Sequence, residues 1–380
     1  MLEEKNFIAP PDPQEQQIQD KLKTNVNPSH FSKVRTSDVD NIFKSVSYSK
    51  PKKSKAGGQE LSPEAIEKKK QASQAKETVR GISYDSMSNT ATIKKGNLLI
   101  FIEQYTSPTF SGLSLSTTKT LDRIKAAYTS TGDRKIRLHI SKFNNRGIQE
   151  KRKLKETINQ DIANLYHTSL AYGTDPQNPN FLRLTRIIET VSVDFSTTIS
   201  FFHGDYLELE LSSRYAEFLD KNSFSHIDDR AFLFDNANAY AIYLRFIGNL
   251  DMNQGTYRGF VMPIITLQNA CPEIQSKEEM RAIGDRHFEK RTKRTVKALE
   301  YIKAAIPDFE YRYCDKVGNF LSKEEAEQLQ VNDEQFSNGY VFMKVNNFPY
   351  NEKKIKKNRK QLEEQPPEEQ TNKPKKQAKS

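Results

Sequence analysis

The chain has no tryptophan and only two cysteines, Cys271 and Cys314, among 380 residues. A disulfide-stapled scaffold is thereby excluded, since such scaffolds crowd several cysteines into a short chain. Long apolar runs are missing as well. The run Leu98–Ile102 is strand-sized, and nothing approaches the roughly 20 consecutive apolar residues of a membrane-spanning helix. The opening segment MLEEKNFIAPPDPQEQQ lacks a basic stretch followed by an apolar one, so no secretory signal is expected there. The expectation is a cytoplasmic protein with reduced thiols and no membrane contact.

Catalytic signatures are also scarce. The six histidines are His30, His139, His167, His203, His226 and His287, and no two stand two positions apart. The His-x-His pair with which a rolling-circle nickase holds its metal is therefore missing. No GxxxxGK(S/T) phosphate loop, GxSxG elbow or HExxH helix occurs either. The expectation is a protein without catalytic residues, metal or other cofactor. Cys271, just before Pro272, and Cys314 read as buried structural thiols. Asp228-Asp229 and Asp235 read as loop or capping residues.

What the chain does have is charge, unevenly placed. Its 59 basic and 49 acidic side chains leave a net +10. Residues 1–80 carry +4 and residues 351–380 carry +5, so the body between them is nearly neutral at +1. Both ends are rich in Pro, Gln, Lys and Ser, and they read as disordered, solvated tails covering 1–88 and 351–380. Trimming them is expected to weaken non-specific nucleic-acid attraction more than site preference.

The body reads as two similar halves. In the first, a strand is expected over Thr92–Tyr105, then a helix over Thr117–Tyr128 capped by Ser116. Leu121, Ile124 and Tyr128 would form its inner face. A strand over Arg134–Ile140, a helix over Ile148–Tyr166 and strands over 187–195, 199–202 and 206–211 follow, with His203-Gly204-Asp205 as a turn. In the second half, helices are expected over Ala237–Asn249, Ile264–Ala270 and Ser276–Ala305, the last bent near Gly284. Phe309–Cys314 and Tyr340–Val345 read as strands around an acidic insert, in which Ser322 and Glu325 form a capping box. Each half thus runs through helices into a hairpin, as a winged helix does. The fold class is read as α+β, with winged-helix-like domains at 89–222 and 223–350.

One helix carries the functional argument. With Phe288 at zero and about 100° per residue, Thr292, Thr295, Leu299, Ile302 and Ile306 share one side. Arg286, Lys290, Lys293, Arg294 and Lys297 share the other, with His287 and Tyr301 beside them. An apolar seam opposite a basic stripe suits a helix seated in the major groove of duplex DNA. A merely solvent-exposed amphipathic helix is the plainer alternative. The corresponding helix of the first half offers Gln149, Arg152, Lys153 and Asn159 for base or phosphate contact, diluted by Glu156. Tyr240, Tyr243 and Phe246 read as core, whereas Phe201 and Phe202 are the better candidates for base stacking. The insert 315–338 holds two basic and six acidic residues, which suits protein contact or solvent and not a grip on DNA.

The runs NAYAIYLRFIGNLDMNQG, ITLQNACPEIQSKEEM, DRHFEKRTKRTVKALEYI and EYRYCDKVGNFLSKEE resemble replication-initiator-like proteins of plasmids and integrative conjugative elements of low-GC Gram-positive bacteria. STTKTLDRIKAAYT and FHGDYLELELSSRYAEFL in the first half are similar to the same group. The resemblance spans about residues 90–350. It implies winged-helix modules that bind repeated double-stranded sites at an origin, open it and recruit host replication proteins, often as dimers. The long charged tails and the acidic insert depart from that pattern. Three readings follow. The first is a non-enzymatic, sequence-specific initiator of replication. The second is a transcriptional regulator of the same mobile element, and the third is a DNA-nicking enzyme.

Overall fold

The computed structural model describes residues 31–35, 82–85, 90–95, 98–102, 114–146, 151–175, 178–193, 200–221, 224–252, 259–282 and 287–349. The fold is α+β, with antiparallel sheets throughout. Four strands, β1 (Phe31–Arg35), β2 (Ile82–Asp85), β3 (Thr90–Lys95) and β4 (Leu98–Ile102), precede the first helix, α1 (Leu115–Thr131), and β5 (Lys135–His139) follows it. Ser114 caps α1 by accepting from the Thr117 amide at 3.1 Å. Gly132 ends it in the left-handed region at φ +70°, where a side chain would be strained. The expected cap, Ser116, lies instead inside the first turn. Its hydroxyl donates to buried Asp161 at 2.7 Å, and Thr117 and Thr120 donate to the same carboxylate.

A 3-10 turn, Ile140–Arg146, leads to α2 (Lys151–Tyr166). Leu154, Ile158, Ile162 and Leu165 recur at helical spacing, and all are fully buried. The long hairpin β6 (Thr168–Asp175) and β7 (Asn178–Arg186) completes a five-stranded sheet in the order β2-β3-β4-β6-β7. Then come β8 (Ile188–Val191), β9 (Phe202–His203) and β10 (Tyr206–Leu211). Alternation places Leu207, Leu209 and Leu211 inward and Glu208 and Glu210 outward. The sheet order is β5-β10-β8, with the last strand in the middle and β9 pairing β10.

A short helix, α3 (Ser213–Asp220), and strand β11 (Phe224–Asp228) lead into the second half. There α4 (Ala237–Met252), β12 (Phe260–Pro263), α5 (Ile264–Ala270), α6 (Lys277–Ala282) and α7 (Glu289–Ala305) precede β13 (Phe309–Cys314). The insert contributes α8 (Lys323–Val331) and α9 (Asp333–Asn338) before β14 (Tyr340–Val345) closes the sheet. Its order is β12-β14-β13. Both halves therefore share one plan: helix, edge strand, short helical segment, long helix, opposite edge strand, and a last strand inserted between the two edges.

Several expectations need correction. The strand expected over Thr92–Tyr105 is two paired strands, β3 and β4, separated in sequence by Gly96-Asn97, a pair with turn chemistry. The single helix expected over Ser276–Ala305 is two, α6 and α7, with Gly284, a poor helix former, in the sequence between them. The reading of 1–88 as a disordered tail fails at two places. Phe31–Arg35 pairs antiparallel with β11, with Val34 fully buried in the second core, and Ile82–Asp85 pairs with β3. Composition hid both, because a four- or five-residue strand has too few apolar positions to stand out in a polar segment. The tail expected over 351–380 lies outside the described residues.

The two halves meet at α1. Leu121, Ile124 and Tyr128 enter the first core, as expected, while Leu115 belongs to the second. Between those faces lie buried charges. Lys125 pairs with Asp122 at 2.6 Å, and the Tyr240 hydroxyl of α4 donates to Asp122 at 2.7 Å. The Lys119 ammonium donates to the Phe234 carbonyl. Arg123 stacks on Phe232, 3.8 Å from the ring centroid, and reaches Asp229 at 3.2 Å, to which Ser32 of β1 also donates.

Candidate nucleic-acid interface

Helix α7 has the two-sided character its sequence calls for. Thr295, Leu299, Ile302 and Ile306 are fully buried and Thr292 nearly so. On the opposite side Lys290, Lys293, Arg294 and Lys297 are exposed. At 1.5 Å per residue this row spans roughly 10 Å of helix. Lys293 and Lys297 have no ion-pair partner among the described residues. Arg294 donates to the Glu273 carbonyl after α5, which orients its guanidinium without neutralising it. Arg286, expected to extend the row, lies outside the described residues. His287 is exposed, with Nδ1 3.3 Å from the Glu289 carboxylate. Tyr301 turns away from the row. Its hydroxyl accepts from the Asp235 amide at 3.1 Å, its ring meets Phe234 edge-on, and burial pushes its phenol well above the usual range. It is unavailable for stacking on a base.

What holds α7 in place is a network the sequence did not disclose. Arg291 is 2% exposed and donates to Asp333 of α9 and to Gln268 of α5, each at 2.9 Å. Thr292 donates to the other Asp333 oxygen at 3.2 Å, and Ser337 donates to Gln268 at 2.9 Å. The acidic insert is thus partly structural. Asp333, Phe336 and Ser337 of α9 pack on α5 and α7, whereas α8 buries no residue. On the helical wheel Arg291 falls beside the apolar seam, which was a legible sign of burial. Its partner, 42 residues away, was not legible.

In the first half the candidate residues are differently engaged. Arg152 is exposed and pairs with Glu156 at 3.0 Å along the helix. Lys153 is exposed. Asn159 is engaged within the fold: its amide donates to Ser200 at 3.3 Å and its carbonyl accepts from the Phe201 amide at 3.0 Å, which ties α2 to the segment leading into β9. Gln149 lies outside the described residues. Phe202 is buried against Phe143 and Phe201 packs on the same core, so neither offers a ring to a base. The acids of β10 are answered across the strand pair, Glu208 by Arg137 at 2.9 Å and Glu210 by Arg134 at 3.0 Å.

Sequence reasoning passed over Lys151 and Lys155. Both reach the carboxylate of Asp205, at 2.6 and 3.2 Å, and Lys155 also donates to the Gly204 carbonyl at 2.5 Å. The Lys151 ammonium is the main reason the Asp205 carboxyl sits below its usual range. Lysines four apart share a helix face, so the pairing of 151 with 155 was legible, but not the turn opposite.

Both cysteines are buried, and burial pushes the Cys314 thiol up. Among the described residues no three His, Cys, Asp or Glu side chains gather as a metal site, and no helix is long and apolar enough to cross a membrane.

No protein-family model and no curated protein matches the chain. Among solved structures, a crystal structure of domains 2–3 of RctB aligns with 70% of this chain and 90% of its own, at 12% identity and a TM-score of 0.36. A second, of selenomethionine derivatives of RctB domains 2 and 3, covers 72% of this chain and 98% of its own, at 12% identity and a TM-score of 0.39.

Proposed function

We propose that the protein is a non-enzymatic, sequence-specific double-stranded DNA-binding protein built on two tandem winged-helix modules, and that it initiates replication of a plasmid or mobile element. The DNA-binding part is carried by one observation: α7 has its apolar side fixed in the second core while Lys290, Lys293, Arg294 and Lys297 stand exposed on the other. A winged helix presents to the major groove the long helix that precedes its hairpin, and α7 holds that place. Arginine supplies bidentate pairing to guanine and lysine supplies phosphate contact. The initiator part rests on the sequence resemblance, which also carries binding to origin repeats, recruitment of host replication proteins and assembly as a dimer.

The experiment has two arms. Lys290, Arg294 and Lys297 replaced together by alanine should reduce duplex affinity by at least tenfold while the thermal transition is kept. Four engaged cations predict a slope of log affinity against log salt of about −3 to −4, and the triple variant should flatten it by roughly 3. Unchanged affinity in the folded variant removes the assignment. Supplying the protein in trans to an origin-bearing plasmid that lacks its initiator should restore replication. DNA binding without replication would favour transcriptional regulation, and metal-dependent cleavage of supercoiled DNA would favour the nicking enzyme.

A further inference from the structure

We propose that Lys151 and Lys155 of α2, facing the β9–β10 turn, form a second binding site for a backbone phosphate of duplex DNA, and that Asp205 occupies the phosphate's position while the protein is free. The inference rests on the DNA-binding reading and extends it to the first module.

Four features of the turn support it. Asp205 accepts from both ammonium groups, at 2.6 Å from Lys151 and 3.2 Å from Lys155, an anion held between two cations as a phosphate oxygen would be. The backbone beneath is fixed. The Asp205 carbonyl accepts from the Ile140 amide at 2.8 Å, and Gly204 sits at φ +60°, a conformation other residues adopt only under strain. The carboxylate can therefore leave by side-chain rotation alone. The Lys155 ammonium also lies 5.7 Å from the centroid of the Phe202 ring, a contact that does not depend on the carboxylate. Finally the pairs reach solvent, with the Asp205 side chain 36% exposed, that of Lys151 58% and that of Lys155 28%. An exposed ion pair is weak and screened by salt. A duplex offers a dense row of phosphates and gains the release of condensed counterions, so it displaces a single carboxylate.

The neighbouring cation fits the same account. Arg152 is paired with Glu156, so in the free protein Glu156 and Asp205 answer three of the four cations of α2, and the mixed composition of this helix conceals the site.

The test measures binding of a labelled duplex of arbitrary sequence by fluorescence anisotropy across a salt series, with the full chain. Asp205→Asn removes the internal anion and should raise affinity several-fold. It should also steepen the salt slope by at most roughly 0.9, the step for one phosphate engaged more fully than in wild type. The double change Lys151→Ala with Lys155→Ala should lower affinity and flatten the slope relative to wild type, and it should abolish the gain from Asp205→Asn when the three are combined. If the double variant only lowers the thermal transition and leaves the slope unchanged, the lysines are structural and the inference is overturned. If Asp205→Asn is neutral while the α7 triple variant loses affinity, the second site fails and the DNA-binding reading stands. If neither wild type nor Asp205→Asn binds duplex, the DNA-binding reading itself falls.

Discussion

Asp122 and Lys125 show how much one buried pair can decide. Their side chains are 1% and 0% exposed, 2.6 Å apart, at the junction of the two halves. Removing both charges from water is costly, and the pair is tolerated because each compensates the other and Tyr240 completes the acceptor side. Asp122→Ala strands a buried ammonium and a phenol hydroxyl, so a loss of about 3–5 kcal/mol is expected in urea unfolding. Combining it with Lys125→Met should recover much of that loss, because an apolar pair avoids the desolvation cost. A single change near zero would mean that water reaches the site. From sequence this pair was invisible, since an i,i+3 Asp and Lys on an amphipathic helix ordinarily mark the wet face. Here α1 has no wet face at that point, because it is shared by two cores.

At the scale of elements, α7 and α9 act as one unit. The guanidinium of Arg291 has buried partners on α5 and α9, so the exposed lysines of α7 inherit their placement from residues that never meet a ligand. Asp333→Ala should cost about 3–5 kcal/mol by leaving Arg291 charged, buried and short of partners. It should also weaken duplex binding, because the helix that presents the cations loses its brace. Glu327→Gln on exposed α8 is the control, expected within about 0.5 kcal/mol of wild type in stability. Equal effects of the two changes would sink the brace.

What was legible in this region follows from the range of each force. Periodicity located α7 and its two faces, and a three-residue spacing located the capping box of Ser322 and Glu325, because both are local. The strands Phe309–Cys314 and Tyr340–Val345 were legible as well, with the same bounds. The contacts of the insert were not. Asp333 looks like any other acid in an acidic stretch, and only the fold brings it to Arg291. The partners of Asn159 were hidden for the same reason: an amide on a helix surface matches base edges as readily as it matches a neighbouring loop, and Ser200 and Phe201 are remote in sequence.

The molecule as a whole depends on a strand that composition assigned to a tail. β1 pairs along its length with β11, Val34 sits in the second core, and Ser32 donates to Asp229, which also holds Arg123 of α1. Three parts of the chain, remote in sequence, are thereby joined at one place. Deleting residues 1–80 removes that strand, exposes the β11 edge and empties the place of a fully buried valine, itself worth roughly 1.5–3 kcal/mol. The truncated chain should therefore unfold at lower temperature. Deleting residues 351–380 removes ten basic and five acidic side chains and no described element, so it should leave the thermal transition in place while weakening non-specific duplex binding. Thermal unfolding of both truncations beside the full chain separates the two cases. If both leave the transition unmoved, β1 is an ornament on the second core, and the junction at Asp229 stands on α1 alone.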